Sequence, residues 1–167
     1  MRIFNKIFCV GLWKTGTTSL ATALRHLNIN TLHNKSYYKQ KRLLEQRKLL
    51  KPLVTMNGYR AFTDTPIEID VWEKHYPNSL YIDTFRDLAS WIRSVERHQK
   101  KYKREFRREK SISSWYRWRE NIEKRFDKRK DYLKIDICNG EGWEKLSSFL
   151  ETPIPEVSFP HQNKWCP

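Results

Sequence analysis

The sequence has no uninterrupted apolar run of the about 20 residues that a membrane-spanning helix needs, and it has only three cysteines. Cys9, Cys138 and Cys166 are an odd set without the close pairs of a zinc site, which favours reduced thiols in a cytosol-like compartment. The apolar residues near the amino terminus belong to a first predicted strand rather than to a signal peptide. A cytoplasmic location without a transmembrane segment is therefore expected.

No internal repeat or low-complexity linker divides the chain, and 167 residues suit a single domain spanning residues 1–167. The net charge of +14 is unevenly spread. Residues 97–130, a predicted basic helical segment, contain fifteen Lys/Arg against five Asp/Glu, whereas residues 53–96 contain four against seven. Such a positive field attracts anions, and an acidic acceptor, a nucleic acid or a membrane surface would each respond to it.

The segment to which the other motifs relate is FCVGLWKTGTTSL, residues 8–20. Phe8–Val10 form a short apolar run before a glycine, as in a buried parallel strand, and leucines then recur with helical spacing. Between the two, Gly16 allows a close backbone approach, Thr17–Ser19 offer hydroxyl groups, and a helix begins. The pattern predicts a strand, an anion-binding loop and a helix, with the positive charge of Lys14 beside the loop.

Gly11 and Gly16 have the separation found in the phosphate loop of nucleotide triphosphatases. That motif also needs a lysine directly after the second glycine, whereas here Thr17 follows Gly16 and Lys14 precedes it. The displaced lysine disfavours a P-loop kinase, which is kept as an alternative. A basic nucleic-acid-binding module without catalysis is the second alternative.

A second anion motif follows the strand predicted at residues 79–85. Arg86 comes directly after this strand, and Ser94 lies eight residues later on a predicted amphipathic helix. A guanidinium fork and a hydroxyl from the next helix suit a phosphate dianion. Each residue also has an ordinary structural explanation, since Arg86 could pair with a carboxylate and Ser94 could lie on the helix surface.

Together these motifs resemble those of the sulfotransferases that use 3′-phosphoadenosine 5′-phosphosulfate (PAPS) as the sulfuryl donor. The order KTGTTSL at residues 14–20 resembles their 5′-phosphosulfate loop, and Arg86 with Ser94 resembles their 3′-phosphate segment. The resemblance implies a three-layer α/β fold like that of P-loop NTPases, with a mostly parallel central sheet between helices. It implies catalysis by Lys14 at the bridging oxygen and donor binding by Lys14, Thr15, Gly16, Thr17, Thr18, Ser19, Arg86 and Ser94.

The acceptor must lose a proton, and the resemblance assigns the base to Asp64. Asp64 follows a strand predicted at Tyr59–Thr63. Family members have a catalytic histidine or acidic residue near the end of the equivalent strand, and in the cytosolic members it is histidine. The residue pattern alone leaves open whether Asp64 faces a ligand or caps the next helix. His33, at the end of a short predicted strand, and Glu68 are the alternative bases.

Four further predictions concern charged and carboxyl-terminal parts of the chain. The basic helix predicted at Tyr37–Leu50 is either a solvated face or an acceptor-binding surface. His98–Lys110 is predicted to be a flap over the acceptor site, and Ser111 or Ser113 is predicted to cap the following helix. Tyr132–Ile137 is predicted to be the last strand of the sheet.

The sequence also departs from the cytosolic sulfotransferases. Trp13 stands where they usually have proline, their Arg-Lys-Gly segment has no clear counterpart, and the chain is shorter. Weaker donor affinity, completion of the site by another protomer and an inactive relic are all left open, as is the oligomeric state. PAPS is the expected co-substrate, no metal is expected, and the acceptor is an anionic glycan or a small hydroxylated molecule rather than a nucleic acid.

Overall fold

The computed structural model describes residues 1–33, 58–64 and 69–162. In this part of the chain, five short strands form one sheet in the order β2-β3-β1-β4-β5, and all neighbouring strands are parallel. The helix predicted at Tyr37–Leu50 and the alternative base Glu68 lie outside the described residues. The strands are β1 (Ile7–Cys9), β2 (Thr31–His33), β3 (Ala61–Thr63), β4 (Leu80–Thr84) and β5 (Tyr132–Ile135), and the helices are α1 (Thr17–His26), α2 (Ile69–His75), α3 (Leu88–Lys101), α4 (Arg108–Phe126) and α5 (Trp143–Leu150).

Alternating residues of β1 belong to two apolar cores, one on each face of the sheet. Ile7 and Cys9 pack in a cluster with leucines of α1 and α5. Phe8 packs with aromatic side chains of α2, β4 and α4, and its ring centroid lies 5.9 Å from that of Trp72 and 6.0 Å from that of Tyr81. Because helices cover both faces of a parallel sheet, the predicted three-layer α/β fold is confirmed.

The central position of β1 brings three loops together. β3 lies on one side of β1 and β4 on the other, so the loops that follow these strands leave from the same edge of the sheet, where open α/β sheets bind ligands. Gly11 permits this close approach, since a Cβ there would lie 2.2 Å from Thr84 Oγ1 and 2.5 Å from the Thr84 carbonyl oxygen. Lys14, Asp64 and Arg86 therefore share one edge.

α4 begins earlier than predicted. Its first residue is Arg108, and Ser111 and Ser113 both lie inside the helix. The Ser111 hydroxyl donates to the carbonyl of Arg107 one turn earlier, at 3.0 Å, instead of accepting from a free helix N–H. The prediction that Ser111 or Ser113 caps this helix is therefore wrong.

β5 ends two residues earlier than predicted. Ile135 is its last residue, and a 3₁₀ helix at Ile137–Asn139 follows. Asp136 causes the change, because its carboxylate accepts from the backbone N–H of Asn139 at 3.1 Å and so caps the 3₁₀ turn.

His98–Lys110, the segment predicted to be a flap, lies in two helices and the connection between them. Its first residues complete α3, its last residues begin α4, and residues 102–107 connect the two helices. Phe106 in this connection packs against the buried cluster that Trp91, Ile92 and Val95 of α3 form. A single apolar anchor among charged residues produces no periodicity, which is why the sequence did not predict this packing.

Candidate active site

The loop after β1 ends at the glycine that precedes α1. Gly16 has φ +102° and ψ 14°, and its carbonyl accepts from the Leu20 N–H at 3.0 Å. A Cβ there would lie 3.2 Å from Ile137 Cβ, so both backbone conformation and space favour glycine. The first N–H groups of α1, at Thr17–Ser19, have no intrahelical acceptor. This is the geometry in which helix amino termini bind anions.

The hydroxyl groups of this loop have different partners. The Thr15 hydroxyl bonds to the Leu12 carbonyl and lies 2.7 Å from Thr84 Oγ1, so it ties the loop to β4. The Ser19 hydroxyl accepts from the backbone N–H of Gln162 at 2.9 Å. Thr15 and Ser19 can therefore offer a ligand their backbone N–H groups more readily than their hydroxyls, a distinction that sequence order does not reveal.

Lys14 and Arg86 are joined across the ends of β1 and β4. Arg86 Nη1 donates to the Lys14 carbonyl at 3.2 Å, and the Arg86 carbonyl accepts from Trp115 Nε1 at 3.3 Å. The buried Nε of Arg86 has no hydrogen-bond partner within the described residues. A buried guanidinium N–H that lacks an acceptor is suited to an anionic ligand.

The Lys14 ammonium lies in a field of neighbouring charges. Burial lowers its pKa below the ordinary lysine value, as does the charge of Arg86, whereas Asp64 raises it and Lys101 and Arg97 lower it again. Charges from three separate parts of the sequence, at Asp64, Arg86 and the end of α3, therefore act on the same ammonium group. The three predicted residues Lys14, Asp64 and Arg86 form one electrostatic site.

Lys14 and Asp64 also share an unusual backbone conformation. Lys14 has φ +66° after β1, and Asp64 has φ +52° after β3. Non-glycine residues in this region cost free energy and cluster at functional sites when no helix end explains them. Among the described residues, the other non-glycine residues with positive φ follow the carboxyl ends of helices: Asn28, Asn78, Lys103, Lys128 and Glu151.

His33 connects the ends of β2 and β3 to the start of α1. Its Nδ1 lies 2.9 Å from Thr63 Oγ1, and its Nε2 lies 3.2 Å from Thr18 Oγ1. Burial lowers the pKa of His33, while Asp64 raises it and Arg25 lowers it. A neutral imidazole donates from one nitrogen and accepts at the other, so it can orient both hydroxyls. His33 thus contacts the start of α1 through Thr18, a contact that the sequence did not indicate.

Comparison with protein families agrees with this arrangement. A family model described as a sulfotransferase domain matches residues 6–119 and 98–166. The chain belongs to the sulfotransferase domain family. Membership supports sulfuryl transfer as the general chemistry of the site. The comparison with curated proteins gives no match.

Trp13, which stands where cytosolic sulfotransferases usually have proline, contacts α3 in this chain. Its carbonyl accepts from Trp91 Nε1 at 2.8 Å, and its ring centroid lies 6.5 Å from that of Trp91 and 5.2 Å from that of His98. Ser94 is buried and lies between Trp91 and His98 on the same face of α3. Trp13 therefore ties the Lys14 loop to the helix that carries Ser94.

The ranges that the structure describes are 1–33, 58–64 and 69–162. No helix in these ranges is long and apolar enough to cross a membrane. No group of three or more His, Cys, Asp or Glu side chains in them is arranged around a metal position. Cys9 and Cys138 are free thiols, and burial raises the pKa of Cys9 to about 11.

Proposed function

We propose that this chain transfers a sulfuryl group from PAPS to a hydroxyl or amine of an acceptor. The observation that supports this best is the hydrogen bond between Arg86 and the Lys14 carbonyl beside the amino terminus of α1. An ammonium, a guanidinium and free helix N–H groups are thereby collected at one edge of the sheet. PAPS carries a phosphosulfate and a separate phosphate, and this collection of donors suits both.

The residues present fit the two anionic ends of the donor. The N–H groups of Thr17–Ser19 suit the 5′-phosphosulfate, and Arg86 with Ser94 suits the 3′-phosphate. The Arg86 guanidinium would donate hydrogen bonds to the phosphate oxygens. When bound, the donor supplies an electrophilic sulfur and a phosphate leaving group.

Lys14 and Asp64 have complementary roles in this proposal. The acceptor atom bonds to sulfur as the bond from sulfur to the bridging oxygen breaks, and that oxygen keeps the electron pair. Lys14 stabilises the negative charge that develops there. The Asp64 carboxylate accepts the proton that the acceptor loses, and His33 keeps the Thr18 hydroxyl oriented toward the loop.

A thermal-shift titration tests the donor site without a known acceptor. The purified chain is titrated with adenosine 3′,5′-bisphosphate, with AMP, and with ATP plus magnesium. A ligand at one hundred times its Kd adds about 2.7 kcal/mol of stability, so selective binding raises the unfolding midpoint. We expect the bisphosphate alone to produce a large shift. A shift only with ATP and magnesium would favour the kinase, and no shift with any nucleotide would favour the binding module.

The identity of the base is tested by comparing single variants. Asp64→Asn is expected to lower turnover by about 10²-fold or more while leaving bisphosphate affinity unchanged. His33→Ala is expected to raise the KM for PAPS more than it lowers kcat, because it frees Thr18. Glu68→Gln is expected to resemble the unmodified chain. Full activity of the Asp64→Asn variant would remove Asp64 from the base role.

A further inference from the structure

The carboxyl end of α3 forms a positively charged tip beside the candidate active site. We define the α3 tip as Arg97, His98, Lys101, Tyr102 and Arg104. Residues 97–104 contain five Lys/Arg and no Asp/Glu. Tyr102 is exposed over 53% of its surface. An exposed ring within a cationic patch is a feature that the donor site does not use.

The tip is held in a defined shape by the turn that ends α3. The Arg104 N–H donates to the carbonyl of Gln99 at 2.9 Å, and Lys103 adopts φ +51° to allow this closure. As a result, the Arg104 guanidinium carbon and the Lys101 Nζ each lie 5.8 Å from the centroid of the Tyr102 ring. Two cations therefore flank one exposed aromatic ring.

Aromatic contacts join the α3 tip to the Lys14 loop. The His98 ring lies 5.2 Å from the Trp13 ring and 4.8 Å from the Tyr102 ring, measured between centroids. Trp13 immediately precedes Lys14 in the chain. A ligand held at Tyr102 can therefore extend across His98 and Trp13 to the ammonium of Lys14.

The two cations beside Tyr102 lack an acidic partner within the part of the chain that the structure describes. Within the described residues, neither Lys101 nor Arg104 forms an ion pair. The nearest acidic residue in sequence, Glu105, is paired with Arg107 at 2.8 Å. Like charges that lie close together raise the electrostatic energy, and an anion bound between them lowers it.

We propose that the α3 tip binds the acceptor and that the acceptor is an acidic carbohydrate. One such molecule supplies carboxylate or sulfate groups for Lys101 and Arg104, an apolar C–H face for the Tyr102 ring, and hydroxyls for transfer near Lys14. A single-stranded nucleic acid matches the charge, but it is usually bound by several aromatic rings that stack successive bases along a groove. The role as acceptor site rests on the proposed sulfuryl transfer.

Calorimetric titration of the whole chain with a heparin-derived tetrasaccharide, at saturating adenosine 3′,5′-bisphosphate, tests the proposal. The double variant Lys101→Gln, Arg104→Gln is expected to raise the Kd about tenfold or more, because two charge-assisted contacts are lost. Tyr102→Ala is expected to raise it by a similar factor, whereas Tyr102→Phe keeps the ring and the affinity. The neutral sugar cellotetraose is expected to bind far more weakly than the acidic tetrasaccharide.

Matched control variants distinguish binding at the α3 tip from attraction to the positive charge of the whole chain. Lys124→Gln, Lys130→Gln removes the same charge from two exposed lysines elsewhere, and Tyr116→Ala removes another exposed tyrosine. These variants are expected to change the Kd less than about twofold. Equal weakening by the tip and control pairs would overturn the proposal. The proposal would also be overturned if a single-stranded RNA of equal charge bound more tightly than the tetrasaccharide and the tip variants weakened that binding.

The titration with adenosine 3′,5′-bisphosphate tests the donor site separately, so either proposal can fail without the other. If the bisphosphate binds and the tetrasaccharide does not, the carbohydrate proposal is overturned and the donor site stands. If the tetrasaccharide binds at the tip and the bisphosphate does not bind, carbohydrate recognition is supported and the sulfuryl-transfer proposal fails. Unfolding midpoints of all variants show whether each one is folded.

Discussion

Lys14 combines a strained backbone with a disfavoured charge. Its left-handed conformation costs roughly 1 kcal/mol or more. Burial and the nearby charge of Arg86 lower the pKa of its ammonium, so folding disfavours the protonated form. A residue that lowers stability in two ways is a strong candidate for a functional role, because functional sites retain such strain for chemistry.

Removal of the Lys14 side chain should separate activity from stability. Lys14→Ala is expected to lower turnover of PAPS by about 10²- to 10³-fold, because the charge that stabilises the leaving phosphate is lost. The unfolding midpoint should be unchanged or higher, since an unfavourably placed charge is removed. Initial rates and calorimetric unfolding measure the two effects, with Lys124→Ala as the control. Near-normal turnover would contradict the role of Lys14.

The lowered pKa of Lys14 predicts a particular alkaline limit of activity. The ammonium is the active form, so kcat/KM for PAPS should fall as pH rises through the folded pKa, which lies below the ordinary value of 10.5. Lys14→Arg keeps the positive charge to higher pH and should move this fall upward. Rates measured across alkaline pH for both proteins test this. Identical alkaline limbs would exclude Lys14 as the titrating group.

Among the secondary-structure elements, α3 carries the largest share of the proposed site. Arg86 precedes the helix, Ser94 lies on its buried face, and the α3 tip ends it. The carboxylate of Asp87 accepts from the backbone N–H of Ser90 at 2.9 Å and so caps the first turn. The Asp87 cap therefore fixes the start of the helix that follows Arg86 and carries Ser94.

Loss of this cap should destabilise the chain in a pH-dependent way. Asp87→Ala is expected to lower the free energy of unfolding by about 1 kcal/mol at neutral pH, whereas Asp87→Asn keeps a capping oxygen and should cost little. The hydrogen bond from Ser90 lowers the pKa of Asp87 below 3.8. The Asp87 charge therefore adds to the free energy of unfolding above pH 3.8. This contribution is lost as the pH falls through the lower pKa that Asp87 has in the folded chain.

Urea unfolding of the unmodified chain and of the two Asp87 variants, at pH values above and below 3.8, measures this effect. The difference between Asp87→Ala and the unmodified chain should shrink in acid. A difference of constant size at every pH would show that the Asp87 carboxylate does not act through its charge.

For the molecule as a whole, a buried polar group links three elements beneath the site. Asp83 of β4 is fully buried and pairs with Arg119 of α4, which is only 6% exposed. The hydroxyl of Tyr132, on β5, donates to Asp83 Oδ2 at 2.9 Å. Asp83 directly precedes Thr84, which contacts the Thr15 hydroxyl in the loop after β1. The packing of α4 is thereby coupled to the strand that supports the site.

Breaking this pair should lower global stability. Arg119→Met is expected to lower the free energy of unfolding by about 3–5 kcal/mol, because it leaves the Asp83 carboxylate buried without its partner. Arg117→Met, on an exposed position of the same helix, is the matched control and should change it by less than about 0.5 kcal/mol. The double variant Asp83→Leu, Arg119→Met should regain most of the loss. Equal effects of the two single arginine variants in equilibrium denaturation would contradict this account.

Local order along the chain was enough to predict the parallel sheet, the helices that cover it and the glycine turn between β1 and α1. Short apolar runs between glycines and helical repeats of leucine are governed by nearest neighbours, so they can be read directly from residues 8–27. The same local pattern gave a wrong cap at Ser111 and Ser113, because the helix begins before both residues and the Ser111 hydroxyl donates back to the carbonyl of Arg107.

Only the tertiary structure determined the hydrogen-bond partners of the polar side chains. It assigned the Thr15 hydroxyl to β4, the Ser19 hydroxyl to Gln162 and the His33 ring to Thr18. It also placed the α3 tip against Trp13. These contacts join residues that are far apart in sequence, and their geometry depends on the order of strands in the sheet, which no local pattern contains.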